Sequence, residues 1–360
     1  MPDLAHHAIT RLQEMIATPS PSRHEAAVVD LVESHLLALK LPTQRIGRNL
    51  LATVERGDGP TLMLCSHLDT VPPNPGYTRD PHAADLSEGK LYGLGSNDAG
   101  ASVVSMTSAL AELAERDDWQ GSVQLALVIE EEISGREGAE FLLAETGLPD
   151  SAIIGEPTGL EVCIAQKGLM VLDCICRGVA CHAANAYRLK HRNAILDAAA
   201  DFNRVSALSF NERDESLGPT TINVTTLHGG SAPNSIPDEC RFTLDVRANP
   251  AQGLEGVLDI VKQSLQAEVR PRSVRLHPMK TDPDALIVKA ALKARPEART
   301  FGSDTLSDMV FLRGCPVIKC GPGISEMSHV PDEWVETRWI EPGIAFYRDT
   351  ALAFFAANQV

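Results

Sequence analysis

Short apolar runs of strand length alternate with stretches of helical spacing through the first half of this chain, and that alternation narrows the folds open to it. Leu, Ile, Val and Ala recur at helical spacing over residues 3–17 and 24–40, with the loop TPSPSRHE between them. Strand-like runs follow at 50–55 (LLATVE) and 61–65 (TLMLC). An Ala-rich helix from about Ala99 to Glu115 comes next, then SVQLALVI (122–129), a helix at about 136–146 and SAIIGE (151–156). Strands that alternate with helices predict an α/β fold, a mostly parallel mixed sheet flanked by helices.

The pattern changes after Gly168. LMVLDCICR (169–177) and ECRFTLDVR (239–247) alternate with period two, and helices are expected at about 192–205 and 253–266. This reads as an α+β insertion of about 110 residues, an ordinary small-domain size. The first style resumes near Pro278, with a helix at 284–294 and the strand CPVIKC at 315–320. The spacing therefore predicts a discontinuous domain, 1–167 and 277–360, interrupted by a satellite domain over 168–276.

The chain has 360 residues, enough for two domains, and a formal charge of −16, which gives it no electrostatic reason to hold nucleic acid or an anionic membrane. Eight cysteines occur without a CxxC pair, which argues against a zinc ribbon and for buried, reduced thiols. The start, MPDLAHHAITRLQEM, lacks a basic region followed by an apolar stretch, and no run approaches the ~18 apolar residues of a membrane helix. The expectation is a cytoplasmic protein.

The polar residues that follow the apolar runs point to chemistry. TLMLC is followed by His67 and Asp69, QLALVI by Glu130, Glu131 and Glu132, AIIG by Glu156, VIKCGPG by His329, and LYGLG by Asp98. In open parallel sheets, sites form beyond the carboxyl ends of the strands. Taken singly, each residue has a bland reading: a lone HxD, a solvated run of Glu, a helix cap, a turn. Together they gather two imidazoles and several carboxylates, which repel when buried side by side. A pair of divalent cations removes that penalty, because imidazole and carboxylate oxygen are zinc ligands and one carboxylate bridges two ions about 3.5–4 Å apart. In His67-Leu68-Asp69 the aspartate is placed to hold the second ring nitrogen and fix the tautomer. GLGSNDAG (93–100) is spaced GxGxxxxG, not the GxGxxG of a dinucleotide fold, and no GxSxG elbow or P-loop occurs.

Nine stretches in the same order resemble the acetylornithine deacetylase / succinyl-diaminopimelate desuccinylase family of two-metal amidohydrolases. They are SHLDTVPP (66–73), YGLGSNDAGAS (92–102), EEEISGREG (130–138), IIGEPT (153–158), GVACHA (178–183), GGSAPNSIPD (229–238), LDVRANP (244–250), TLSD (305–308) and GPGISEMSHVPDE (321–333). The resemblance implies that His67, Asp98, Glu132, Glu156 and His329 ligate two divalent ions, zinc above all, with cobalt or manganese as alternatives. Asp98 would bridge, His67 and Glu156 would complete one site, and Glu132 and His329 the other. It further implies Asp69 orienting His67, Glu131 as general base, a cis peptide at Asp98–Ala99, and His182 as an oxyanion donor reaching in from a partner subunit. Arg247 and Asn234 would hold a substrate α-carboxylate, with Thr305 and Ser307 as further substrate contacts.

The chain departs from the family's pattern in its acidic triplet, Glu130-Glu131-Glu132 in place of Asp-Glu-Glu. It departs again at Asp98-Ala99-Gly100-Ala101 in place of Asp-Met-Lys-Gly, a variant similar to acetylornithine deacetylase-like members. The implied activity is hydrolysis of an N-acyl amino acid, foremost N-acetyl-L-ornithine in arginine biosynthesis, by a homodimer joined through the satellite domain. Desuccinylation of an N-succinyl diamino acid and dipeptide hydrolysis are alternatives. A non-catalytic, metal-stabilised binding protein is the alternative of another class.

Overall fold

The structure, a computed structural model, describes residues 4–358, so Asp3 at the start of the first expected helix lies outside the described residues. It forms two compact units. The first comprises the residues up to Ile164, Thr281–Phe301 and those from Ser307 onward; the second comprises Ala165–Lys280 and Gly302–Leu306.

In chain order the helices are α1 (Leu4–Ile16), α2 (Ala26–Ala38), α3 (Ala101–Ala114), α4 (Ala139–Thr146), α5 (Ala194–Ala207), α6 (Leu254–Ser264), α7 (Leu286–Ala294) and α8 (Ile340–Asn358). The principal strands are β1 (Thr43–Ile46), β2 (Asn49–Arg56), β3 (Thr61–His67), β4 (Gly121–Val128), β5 (Ser151–Ile154), β6 (Val162–Gln166), β7 (Gly168–Arg177), β8 (Thr221–Gly229), β9 (Glu239–Ala248), β10 (Glu268–Pro271) and β11 (Val317–Lys319).

The main sheet has the order β1-β2-β4-β3-β5-β11-β6. Its four middle strands, β4, β3, β5 and β11, run parallel, while both flanks pair antiparallel. Six of the seven residues of β3 are buried, as expected of a strand covered on both faces. Helix α3 is buried almost all round, which its small Ala and Ser residues permit. It packs with α8, whose Phe355 stacks on Trp119 with ring centroids 4.8 Å apart.

Three elements differ from the sequence expectation. Helix α8 was not among the expected elements; its Pro342 lies in the first helical turn, where a missing N–H has no partner to lose. Helix α3 begins at Ala101 and not Ala99, since Asp98 and Ala99 have non-helical backbones. The short strand Lys90–Tyr92, which leads to Asp98, belongs to a separate three-stranded sheet with Leu86–Ser87 and Trp334–Glu336. The Asp98–Ala99 peptide is cis.

The second unit is an antiparallel sheet of order β8-β9-β7-β10. Its core combines Leu172, Phe242, Leu244 and Val246 with Ala198, Val205, Val257 and Val261 of helices α5 and α6. Among the described residues, no helix is long and apolar enough to cross a membrane.

Candidate active site

Three neighbouring parallel strands deliver the first group of polar residues. His67 is the last residue of β3, the Glu130–Glu132 triplet follows β4, and Glu156 follows β5. Parallel pairing sets these carboxyl ends side by side. Asp98 arrives differently, on the turn Ser96–Gly100 that leads into α3, and His329 lies on the long loop after β11.

These residues come together in one cluster. His67 is 2% exposed. Its Nε2 lies 3.3 Å from Asp98 Oδ1 and 3.8 Å from Glu156 Oε1. His329 Nε2 is 2.8 Å from Glu132 Oε2 and 3.6 Å from Asp98 Oδ2. One ligand atom each from His67, Glu131 and Glu156 lies within 4.8 Å of the others, and the same holds for His67, Asp98 and Glu132.

Asp69 acts through two different groups. Its backbone carbonyl, not its carboxylate, bonds His67 Nδ1 at 2.9 Å. The carboxylate oxygen is 3.6 Å from that nitrogen, beyond hydrogen-bond range. The carboxylate instead accepts the N–H groups of Glu131 (3.0 Å) and Glu132 (3.1 Å) and the hydroxyl of Ser22 (2.7 Å). Asp69 therefore turns Nε2 of His67 toward Asp98 and Glu156 and fixes the backbone of the acidic turn.

The triplet divides by direction. Glu130 has a left-handed backbone (φ 59°) and turns away to Arg48, whose Nη2 donates to it at 2.8 Å. Arg48 also donates to the fully buried Glu25 at 2.7 Å. Gly135 leaves room for this, since a Cβ there would sit 2.1 Å from Glu130 Oε2. Glu131 and Glu132 are the two members that enter the cluster.

Without cations this arrangement is electrostatically unfavourable. Burial, reinforced by Glu156, pushes the Glu131 carboxyl well above the usual range. Burial and Asp98 push Glu156 up to about 8. Burial opposes charge on His67, but Asp69, Asp98, Glu131 and Glu156 outweigh it and raise its pKa. The hydrogen bond to Glu132 lifts His329 to about 9. Two imidazoles and four carboxylates with no cysteine are a donor set that divalent cations satisfy, so the residues fit a pair of such ions.

Glu333 and Asn97 were not singled out from the sequence, although both lie in the quoted motifs. The Glu333 carboxylate accepts the N–H groups of Gly95 (3.1 Å), Asn97 (2.9 Å) and Asp98 (3.0 Å). The Asn97 amide donates to the Ile324 carbonyl at 3.0 Å and accepts the Ile324 N–H at 2.9 Å. Gly323 (φ +88°) makes space for it, because a Cβ would lie 2.2 Å from Asn97 Oδ1.

The remaining expected residues divide between the two units. Ser307 is buried in the first unit, and Thr305 belongs to the second, where its hydroxyl is 2.8 Å from that of Ser303. His182 is exposed in the second unit; its Nδ1 accepts from Ala184 N–H at 3.2 Å. Asn234 is its neighbour, since the Asn234 carbonyl accepts the Ala183 N–H at 2.9 Å and His182 pairs with Ser235.

Arg247 forms a fork with Asp245 at 2.9 and 3.2 Å near the far end of β9. The Asn234 end of the strand is marked by Glu239, opposite Arg177. Eight residues of extended strand separate Glu239 from Arg247, roughly 27 Å. Within one chain Arg247 and Asn234 therefore lie toward opposite ends of β9.

Comparison with known proteins shows the family and the fold. The sequence profile of peptidase family M20/M25/M40 matches residues 63–353. An acetylornithine deacetylase from Proteus mirabilis is 30% identical, with 92% of each chain covered. A succinyl-diaminopimelate desuccinylase from Wolinella succinogenes is 28% identical, covering 92% of this chain and 95% of its own. Among solved structures, aminopeptidase PepT from Bacillus cereus superposes with a TM-score of 0.80 at 19% identity, over 97% of this chain and 98% of that one. A dinuclear metal-binding peptidase from Bacillus subtilis gives 0.76 at 14% identity, over 99% of both chains.

Proposed function

From the premise that this chain belongs to peptidase family M20/M25/M40, we propose that it hydrolyses the amide bond of an N-acyl amino acid, foremost N-acetyl-L-ornithine. The observation that carries this reading is the convergence of His67, Asp98, Glu131, Glu132 and Glu156 in one largely buried cluster, which the half-exposed His329 closes from the solvent side. Two divalent ions fit there, with zinc favoured by the mix of imidazole and carboxylate donors. His67 and Glu156 would hold one, Glu132 and His329 the other, and Asp98 both. When bound, such ions polarise a carbonyl and acidify water.

The chain's own groups then divide the work. Glu131 takes a proton from the attacking water and returns it to the leaving amine. Its backbone is set by Asp69, whose carboxylate accepts the Glu131 N–H. His182 donates to the developing oxyanion, and Arg247 pairs with the α-carboxylate. Acetate release from N-acetyl-L-ornithine, abolished by a chelator and restored by zinc, tests the assignment; inactivity on that substrate with turnover of N-succinyl-diaminopimelate would favour the second reading, which the Wolinella relative supports.

In this reading the first unit is catalytic and the second is a dimerisation domain. Strand β8 pairs only with β9 among the described residues, leaving Val224 and Leu227 exposed on an open edge. Ile195 and Leu196 of α5 are exposed apolar residues on the same unit. Such an edge invites pairing with a second copy. The strand-length gap between Arg247 and the His182–Asn234 pair supports a site in which one copy supplies Arg247 and the other supplies His182. His182→Ala and Arg247→Ala proteins are each expected to lose about 10²-fold or more in kcat/KM. Refolding them together should recover activity, because mixed dimers then contain one intact site. No recovery would place both residues in the same chain's site or neither.

A further inference from the structure

We propose that Glu333 is a positioning residue that governs how tightly the ion between Asp98, Glu132 and His329 is held, by tying the loop that carries Asp98 to the loop that carries His329. The inference rests on the two-ion reading of the cluster.

Glu333 is 1% exposed. Its Oε2 accepts the Gly95 N–H, and its Oε1 accepts those of Asn97 and Asp98. Its own carbonyl accepts the Gly93 N–H at 2.9 Å. One residue thus takes four backbone donors from the segment 93–98, the last of them from Asp98 itself. Only a carboxylate offers two acceptor oxygens and no donor, so it satisfies three convergent N–H groups at once. Glu333 lies four positions after His329, and Asn97 ties the same two segments again through Ile324. These links fix the relation of Asp98 to His329, whose side chains approach to 3.6 Å.

The two ions differ in their dependence on this brace. His67 and Glu156 stand at the ends of β3 and β5, held in register by the sheet. For the ion they hold, only Asp98 comes from the braced loop. The other ion takes both Asp98 and His329 from the two segments that Glu333 joins. Loss of the brace should therefore fall unequally on the two ions.

The test is stepwise zinc binding to metal-free protein, followed by competition with a chromophoric chelator. Wild-type protein should take up two ions. Glu333→Gln turns an acceptor into an N–H₂ donor facing amide donors, and should weaken one ion by about 10–100-fold, the usual cost of losing a partner that orients a ligand. The other ion should change by less than about threefold, and Asp332→Asn, on the half-buried neighbour whose carboxylate accepts the N–H groups of Thr78 and Arg79, should change neither. If Glu333→Gln does not fold, Asn97→Ser cuts the second tie and should show the same selectivity. Equal weakening of both ions, or no weakening, in the folded variant overturns the inference while the two-ion reading stands. Wild-type protein that binds fewer than two ions overturns both.

Discussion

Glu131→Gln protein is expected to fold, to bind both ions and to lose about 10²–10⁴ of kcat, the range set by a positioned acid–base group. The substitution keeps the shape of the side chain and removes only its capacity to carry a proton. The turn that holds it should stay in place, because Asp69 binds its backbone N–H and not its carboxylate. Steady-state kinetics should show the loss in kcat with KM little changed, the mark of an interaction made in the transition state. Glu130→Gln supplies the contrast. That residue faces Arg48 outside the cluster, so kcat should remain within a few-fold of wild type. Near-normal turnover by Glu131→Gln would remove the proposed base.

Metal removal should abolish activity, and metal uptake should depend steeply on pH. Without ions, burial and Asp98 set Glu156 at about 8, while nearby carboxylates raise His67 and set His329 at about 9. Ligation requires ionised carboxylates and neutral imidazoles. The ion-free protein therefore binds more protons than the loaded one, so affinity rises with pH up to about 8–9 and falls as pH drops below it. Zinc titration at pH 7 in buffers of different ionisation enthalpy should reveal net proton release. Uptake without proton release, or affinity that is flat from pH 6 to 8, would mean that these groups are not the ligands.

Much of the α/β frame was legible because strands of the main sheet carry near-continuous apolar runs and are separated by amphipathic helices. His67, Glu131, Glu132 and Glu156 were legible for the same reason: each follows directly on such a run, and parallel pairing brings the ends together. Asp98 and His329 were read from the same pattern, after LYGLG and VIKCGPG, although they come from a separate small sheet and a long loop; the resemblance to a known family added their ligand roles. The role of Asp69 was only half visible. A sequence shows that a carboxylate lies two residues from His67, but not that the backbone carbonyl makes the bond. Glu333 was missed because its partners are backbone amides 235–238 residues away, which leave no side-chain pattern to read. The gap between Arg247 and Asn234 emerged only once the register of β7 against β9 was known.

Anomalous diffraction at the zinc edge, from crystals grown with excess zinc, tests the central claim most directly. The expected result is two strong peaks about 3.5–4 Å apart, the spacing of a paired-ion site. One should lie against His67 and Glu156, the other against Glu132 and His329, with Asp98 between them. A cluster that binds no zinc, or zinc bound only at surface residues while these five side chains stay unligated, would contradict it.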